Sequence, residues 1–265
     1  MISITTTELN AVMAAFLWPL FRILALIASA PILGNPSVPV RVKAGLAVLI
    51  TVLVAPAIED PIPQIDPFSG MGLMILIQQI IIGVAIGFVM RIVFVAVEMA
   101  GEIIGLQMGL AFAIFFDPQS SGQVALVGRF LGIIASLAFL AIDGHLLMIA
   151  LIAQSFNTLP IGADGITAPT FRLLADWGGE IFKSGLQLAL PVLTALLITN
   201  LALGILTRAA PQLNIFAVGF PLTLSIGFLM LALSIIFYAP ILETLILEGF
   251  EFMSSIVNVS SIDIP

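Results

Sequence analysis

The sequence predicts an all-α integral membrane protein of about six bent or kinked hydrophobic helices and helical hairpins. Of 265 residues, 61% are hydrophobic and only 9% charged, with a mean hydropathy of +1.25; ordinary soluble domains carry about 25% charged residues. Six apolar runs follow one another, and most approach or exceed the roughly 20 residues a spanning helix needs. Proline and glycine fall inside those runs, which bends a membrane helix where neighbours re-satisfy the freed backbone groups.

The first run covers residues 9–30, after a hydroxyl-rich start at Thr5-Thr6-Thr7-Glu8. Trp18-Pro19 and Arg22 interrupt it. An arginine this deep is costly in lipid and normally faces a bundle interior or water. Arg22 is therefore read as paired inside the bundle, with a role in conduction as the alternative. The stretch 30–45 then turns on Pro31, Gly34, Asn35, Pro36 and Pro39 and ends in Arg41 and Lys43. Run two, 44–58, is short for a full span and predicts tilt or incomplete insertion. Glu59-Asp60-Pro61-Ile62-Pro63 and Asp66-Pro67 form an acidic, proline-stiffened loop.

Run three, 71–97, carries Gly83 and Gly87 at the four-residue spacing that lets membrane helices approach closely. Arg91 lies near its end. Glu98 and Glu102 follow on one helix face, where like charges repel, so they need a basic partner, water or raised pKa values. Run four, 124–153, holds Arg129 and Asp143-Gly144-His145. The polar stretch 154–179 reads as a turn-rich loop. Run five, 181–206, contains Pro191, a predicted kink, and leads into Arg208-Ala209-Ala210-Pro211-Gln212-Leu213-Asn214. There Arg208 suits the negative end of a helix dipole and Pro211 forces a turn. Run six, 215–240, is predicted to bend at Gly219-Phe220-Pro221. The tail, 241–265, alternates apolar residues with Glu243, Glu248 and Glu251, as an amphipathic helix does. No internal repeat and no soluble domain interrupt this pattern, so residues 1–265 read as one helical membrane domain.

Between runs three and four lies GLQMGLAFAIFFDPQSSG, residues 105–122. Gly105, Gly109 and Gly122 loosen its backbone, and Asp117-Pro118 stops a helix arriving from upstream. Met108, Leu110, Phe112, Ile114, Phe115 and Phe116 form a dense apolar cluster on that tether. Two readings fit: a broken helix packed against its neighbours, or a loop that fills a passage between helices and moves out of it. Non-helical backbone at membrane depth is tolerated only where protein buries it or where it lines a cavity.

Several function classes are excluded. There is no cysteine and one histidine, so thiolate catalysis, disulfides and a transition-metal centre lack their residues. No phosphate loop ending in Lys-Ser/Thr occurs, and no nucleophile–base pair or aspartate dyad stands out. An enzyme is not expected, nor a cofactor. A net charge of −7 with eight scattered basic residues argues against nucleic acid as a partner; membrane lipid is the expected surroundings. A secondary transporter of a small solute remains the bottom-up rival, although no inverted pair of hydropathy patterns appears. If all six runs cross, Arg41, Lys43 and Arg208 share one side, which the positive-inside rule makes cytoplasmic, with both termini outside.

At residues 204–221 stands a particular string, GILTRAAPQLNIFAVGFP. It resembles the signature of the FliR family, a membrane component of the flagellar type III protein export gate. APILGNPSVPVRVKAGLA, the Phe-rich loop, DGHLLMIALIAQSFNTLPIG and LALPVLTALLITNLALG fit the family pattern in order. Related injectisome subunits share the APQLN turn but usually lack the following NIFAVGFPLTL form, which favours the flagellar branch over a virulence injectisome. The resemblance implies one FliR copy assembled with several FliP and FliQ copies around a channel for unfolded flagellar export substrates. It also implies FlhB on the same core and FlhA in the wider machine of the flagellar basal body. The fold would be similar to a FliP unit fused to a FliQ unit. The bent hairpins would sit in the bacterial inner membrane, raised towards the periplasm, so the simple six-span topology would describe the newly inserted chain only. The family's channel plug corresponds to residues 105–122, with Phe112 and Phe115 at its aromatic positions and Phe116 an extra ring. The turn with Arg208, Pro211, Gln212 and Asn214, followed by Pro221, is either a hairpin corner or a contact with FlhB. Arg22, Arg91, Glu98 and Glu102 would pair within the chain or across subunits.

Overall fold

The computed structural model describes residues 6–58, 62–110, 126–162, 165–212 and 215–259. Every regular element among them is helical: α1 (Thr6–Ser29), α2 (Val40–Val54) with a 3₁₀ turn at Ala55–Ala57, α3 (Gly70–Gln107), α4 (Leu126–Ala141), α5 (Gly144–Thr158), α6 (Ala168–Trp177), α7 (Glu180–Ala209) and α8 (Ile215–Val259).

Local chemistry explains most boundaries. Pro39 precedes α2, where its missing N–H costs nothing, and Ala55-Pro56-Ala57 tightens the far end. Ser69 opens α3, its Oγ accepting the Gly72 amide at 3.0 Å as an N-terminal cap. Asp143, between α4 and α5, adopts φ 56°. The fourth apolar run is thus a broken pair, since no helix continues through a left-handed residue. Residues 154–179 depart from the loop expected there: α5 continues to Thr158, and Pro169 starts α6 at a first-turn position where proline is tolerated. Pro191, by contrast, lies inside an uninterrupted α7, and Pro221 and Pro240 inside α8.

Among the described residues, four helices are long and apolar enough to cross a membrane, or five if α4 and α5 count as one broken span. α3 has 38 residues and α7 has 30, both beyond the roughly 20 that a span requires. The first apolar run behaves differently. From Met13 to Ala30 only Ala28 is exposed, so this part of α1 is an interior strut.

The chain divides into two compact units. Unit 1 comprises Met1–Ile92, Asp143–Gly178 and Ile246–Pro265; unit 2 comprises Val93–Ile142 and Gly179–Leu245. Unit 1 is organised by the contact of α3 on α1. A Cβ at Gly83 would collide with the Arg22 carbonyl and lie 2.9 Å from the Ala25 Cβ; one at Gly87 would lie 3.0 Å from the Leu26 oxygen. The small-residue spacing predicted as a packing motif is what brings these backbones together. Trp177 stacks on Phe252 (centroids 4.3 Å, planes 10° apart) and donates its indole N–H to the Val89 carbonyl at 3.2 Å.

Unit 2 uses the same device. At the crossing of α3 and α4, a Cβ on Gly101 would sit 2.5 Å from the Gly128 Cα. Phe94 and Phe139 meet edge to face at 5.7 Å beside it. On the opposite side of α3, Gly185 of α7 lies against the Ala96 carbonyl. Tyr238 of α8 donates to the Leu188 carbonyl at 3.2 Å.

Gly101→Leu tests the crossing. Nothing can move aside except backbone, so unit 2 should lose roughly 1–3 kcal/mol, the usual cost of overpacking. Limited proteolysis in mild detergent should show faster cleavage than in the wild type. A Gly45→Leu control, where nothing lies within 4 Å of the added Cβ, should leave the rate unchanged.

Candidate functional site

Two places stand out in this apolar chain. In unit 2 the first is the stem of the stretch singled out at 105–122. α3 ends at Gln107, and Gly109 takes φ 85° with its N–H on the Leu106 carbonyl at 3.0 Å. A residue without Cβ is needed for that left-handed exit. Gly105 is buried inside the last turns of α3. Met108 is wholly buried, and its thioether lies against Gly227 of α8, where a Cβ would stand 2.5 Å from its Cγ. Thr223 donates its hydroxyl to the Met108 carbonyl at 3.2 Å. Leu110 is half-buried. The entry to the stretch is therefore pinned to α8 through both the side chain and the backbone of Met108. Phe112, Ile114, Phe115, Phe116 and Gly122 lie outside the described residues.

The second place is Arg22 in unit 1, fully buried on α1. Its Nε donates to the Gln79 Oε1 at 2.7 Å. Nη1 donates to the Ser155 carbonyl (2.8 Å) and hydroxyl (3.1 Å), and Nη2 to the Leu159 carbonyl at 2.9 Å. The guanidinium carbon lies 4.3 Å from the centre of the Phe156 ring. Each of these acceptors is neutral. Ser155 and Leu159 carry carbonyls of the last turn of α5 and the residue after it, the negative end of the helix dipole, and the ring face adds a cation–π term. Hydrogen bonds to a charged donor contribute about 1.5–3 kcal/mol each, which offsets a desolvation cost of several kcal/mol for a buried ion. The sequence placed Arg22 in the bundle interior, and it lies there. It did not name Gln79 or Ser155. The signal was present, since Gln78-Gln79 is the one pair of side-chain amides in 71–97, and a lone amide in an apolar run needs a partner.

The remaining charged candidates are surface residues. Arg91 is exposed on α3. Glu98 and Glu102 are exposed one turn apart, beside the close approach of α3 and α4; a Cβ on Gly132 would lie 3.3 Å from the Glu98 Oε1 and one on Gly128 3.4 Å from the Glu102 Cγ. The glycines of α4 thus leave room for both carboxylate side chains. Arg208 is exposed in the last turn of α7, as predicted for a helix C-terminus, and Pro211 and Gln212 are exposed in the turn that follows. Pro221 is exposed on α8, its carbonyl accepting the Ser225 hydroxyl at 2.8 Å. Asn214 lies outside the described residues. Among the described residues, no cluster of His, Asp and Glu could hold a metal ion.

Apolar faces are left open on the longest helices. In the most apolar stretches of Ala168–Ala209 and Val218–Val257, only 22% of each is buried by the chain itself, against 67% for α3. These elements define an all-helical integral membrane protein with surfaces suited to lipid or to other membrane subunits. Residues 13–249 match the family described as bacterial export proteins, family 1. The flagellar biosynthetic protein FliR of Pectobacterium carotovorum subsp. carotovorum is 52% identical over 92% of this chain and 92% of its own. The protein of that name from Escherichia coli K12 is 46% identical over 97% of this chain and 98% of its own. That of Bacillus subtilis 168 is 31% identical over 84% and 87%. The chain belongs to the bacterial export proteins, family 1, and within them to the FliR family.

Met108→Ala tests the anchoring at the end of α3. Removing a fully buried methionine typically costs about 2–5 kcal/mol, so the variant should unfold measurably earlier in detergent. Leu110→Ala, at a half-buried site, should cost less. Equal effects would show that Met108 does not pin the stem.

Proposed function

We propose that this protein is the FliR subunit of a flagellar type III protein export gate in the bacterial inner membrane. With FliP and FliQ it forms the channel through which unfolded flagellar proteins leave the cytoplasm. The observation that carries this is the 46% identity over 97% of the chain to the flagellar biosynthetic protein FliR of Escherichia coli. The chemistry agrees with it. A conduit for unfolded chains needs no nucleophile, phosphate loop or redox centre. It needs a wall and a closure. The wall is supplied by long helices whose apolar faces the chain leaves uncovered, and FliP and FliQ cover them in the assembled core. FlhB joins the same core and FlhA belongs to the wider machine, with the core raised towards the periplasm.

The closure is the stretch 105–122. Phe112 and Phe115 fill the resting passage, and Phe116, Ile114, Leu110 and Met108 add apolar bulk around them. An apolar constriction expels water and with it ions. An exported chain displaces the rings, and Gly109 and Gly122 take up the backbone change while Met108 holds the stem on α8. Gly105 acts within the helix end. The turn at Arg208, Pro211, Gln212 and Asn214, with Pro221 beyond, is a hairpin corner that orders α7 and α8 for their partners.

Double substitution of Phe112 and Phe115 by Ala should make the resting complex conduct ions in planar bilayers. An unchanged low conductance, with the complex intact, would remove these rings from the closure. For the corner, Arg208→Ala should weaken recovery of FliP and FliQ together with FlhB during co-purification. Selective loss of FlhB alone would make the turn a dedicated FlhB contact.

A further inference from the structure

Arg22 poses a problem of sequence in time. All four of its acceptors come from far along the chain: Gln79 is 57 residues away, Ser155 is 133 and Leu159 is 137. None exists when α1 leaves the ribosome. On its own, an apolar helix with one central arginine enters lipid on the order of 100-fold less favourably than the same helix without it. In the finished protein the stretch of α1 from Met13 onward is largely covered by the rest of the chain, with Ala28 exposed. Trp18, Arg22, Ile23, Leu26 and Ile27 are each 2% exposed or less.

α3 is shaped to receive it. Gln79, Gly83 and Gly87 recur every four residues and so lie along one row of α3. Gly83 and Gly87 admit the backbone of α1, and Gln79, one turn earlier, then stands 2.7 Å from the Arg22 Nε. α5 completes the coordination with the two carbonyls at its C-terminal end. The capture is incomplete without each of the three helices.

We propose that α1 is taken into the membrane-embedded fold late, after α3 and α5 have been made, and that Arg22 is the residue that enforces this order. Until then the charge keeps α1 at the water-facing surface of the bilayer. Capture by Gln79, Ser155 and Leu159 replaces water around the guanidinium with fixed neutral acceptors and lets α1 slide onto the glycine row. Unit 1 then closes around an element that no lipid needs to solvate. This is an assembly device independent of the export reading, since it depends only on the order of synthesis and on the contacts of Arg22.

The chain contains no cysteine, so Ala14→Cys, at a site 1% exposed in the folded protein, gives a single reporter in the full-length chain. After a short synthesis pulse in cells, a water-soluble maleimide is added at increasing chase times. The expected result is a labelled early phase followed by protection. Arg22→Leu in the same background should abolish the early phase, because an uncharged α1 enters lipid unaided. Gln79→Leu should prolong labelling severalfold, and Gln79→Glu, which supplies a true counterion, should shorten it. Gln79→Glu keeps the test decisive if Gln79→Leu is degraded before it folds. Protection of Ala14→Cys from the first time point, or labelling kinetics that none of the three variants changes, would overturn the proposal.

Discussion

The structure depends on how one buried cation is solvated by neutral groups. Arg22 is fully buried, and among the described residues the chain answers with a side-chain amide, a hydroxyl, two carbonyls and an aromatic face. Such an arrangement works only if the acceptors are held at hydrogen-bond distance by something stiffer than themselves. The stiffness comes from the glycine row on α3, which removes the side-chain layer that would otherwise separate two helices. Packing and electrostatics are therefore the same feature in unit 1: without the close approach Gln79 would not reach, and without Gln79 the close approach would bury an unsatisfied charge.

Unit 2 applies glycine to a different end. Gly101 and Gly128 let α3 and α4 touch backbone to backbone, Gly185 seats α7, and Gly227 makes the slot for Met108. Met108 lies at the exit of α3, where Gly109 turns the chain out of the helix. The exit of α3 is thereby held in place against α8. The exposed apolar faces of α7 and α8 are the complementary property. A chain that covers so much of α1, yet leaves these helices open, presents faces suited to lipid or to other membrane subunits.

Much of this was legible in the amino acids. The all-helical class followed from composition and run length alone, and the paired Gly83 and Gly87 announced a close helix contact that the structure contains. The interior position of Arg22 followed from the cost of charge in lipid. The partners of Arg22 were harder to see, because a hydrogen bond across 133 residues leaves no local periodicity; the Gln78-Gln79 pair was the available hint. α6 was hidden for a different reason: Pro160, Gly162 and Pro169 make 154–179 resemble a loop, and proline at a helix start reads the same as proline in a turn. Pro191 lies inside α7, which continues through it. The Phe-rich tip is a matter of sequence alone, and its role rests on family resemblance together with the anchored stem.

The central claim is that this chain is one part of a helical assembly and not a self-sufficient carrier. Co-expression with FliP and FliQ, extraction in mild detergent and native mass spectrometry test it most directly. A single stable complex containing one copy of this chain with both partners is the predicted result. A monodisperse monomer or homodimer, with neither partner bound, would contradict it and return the protein to the class of small-solute transporters.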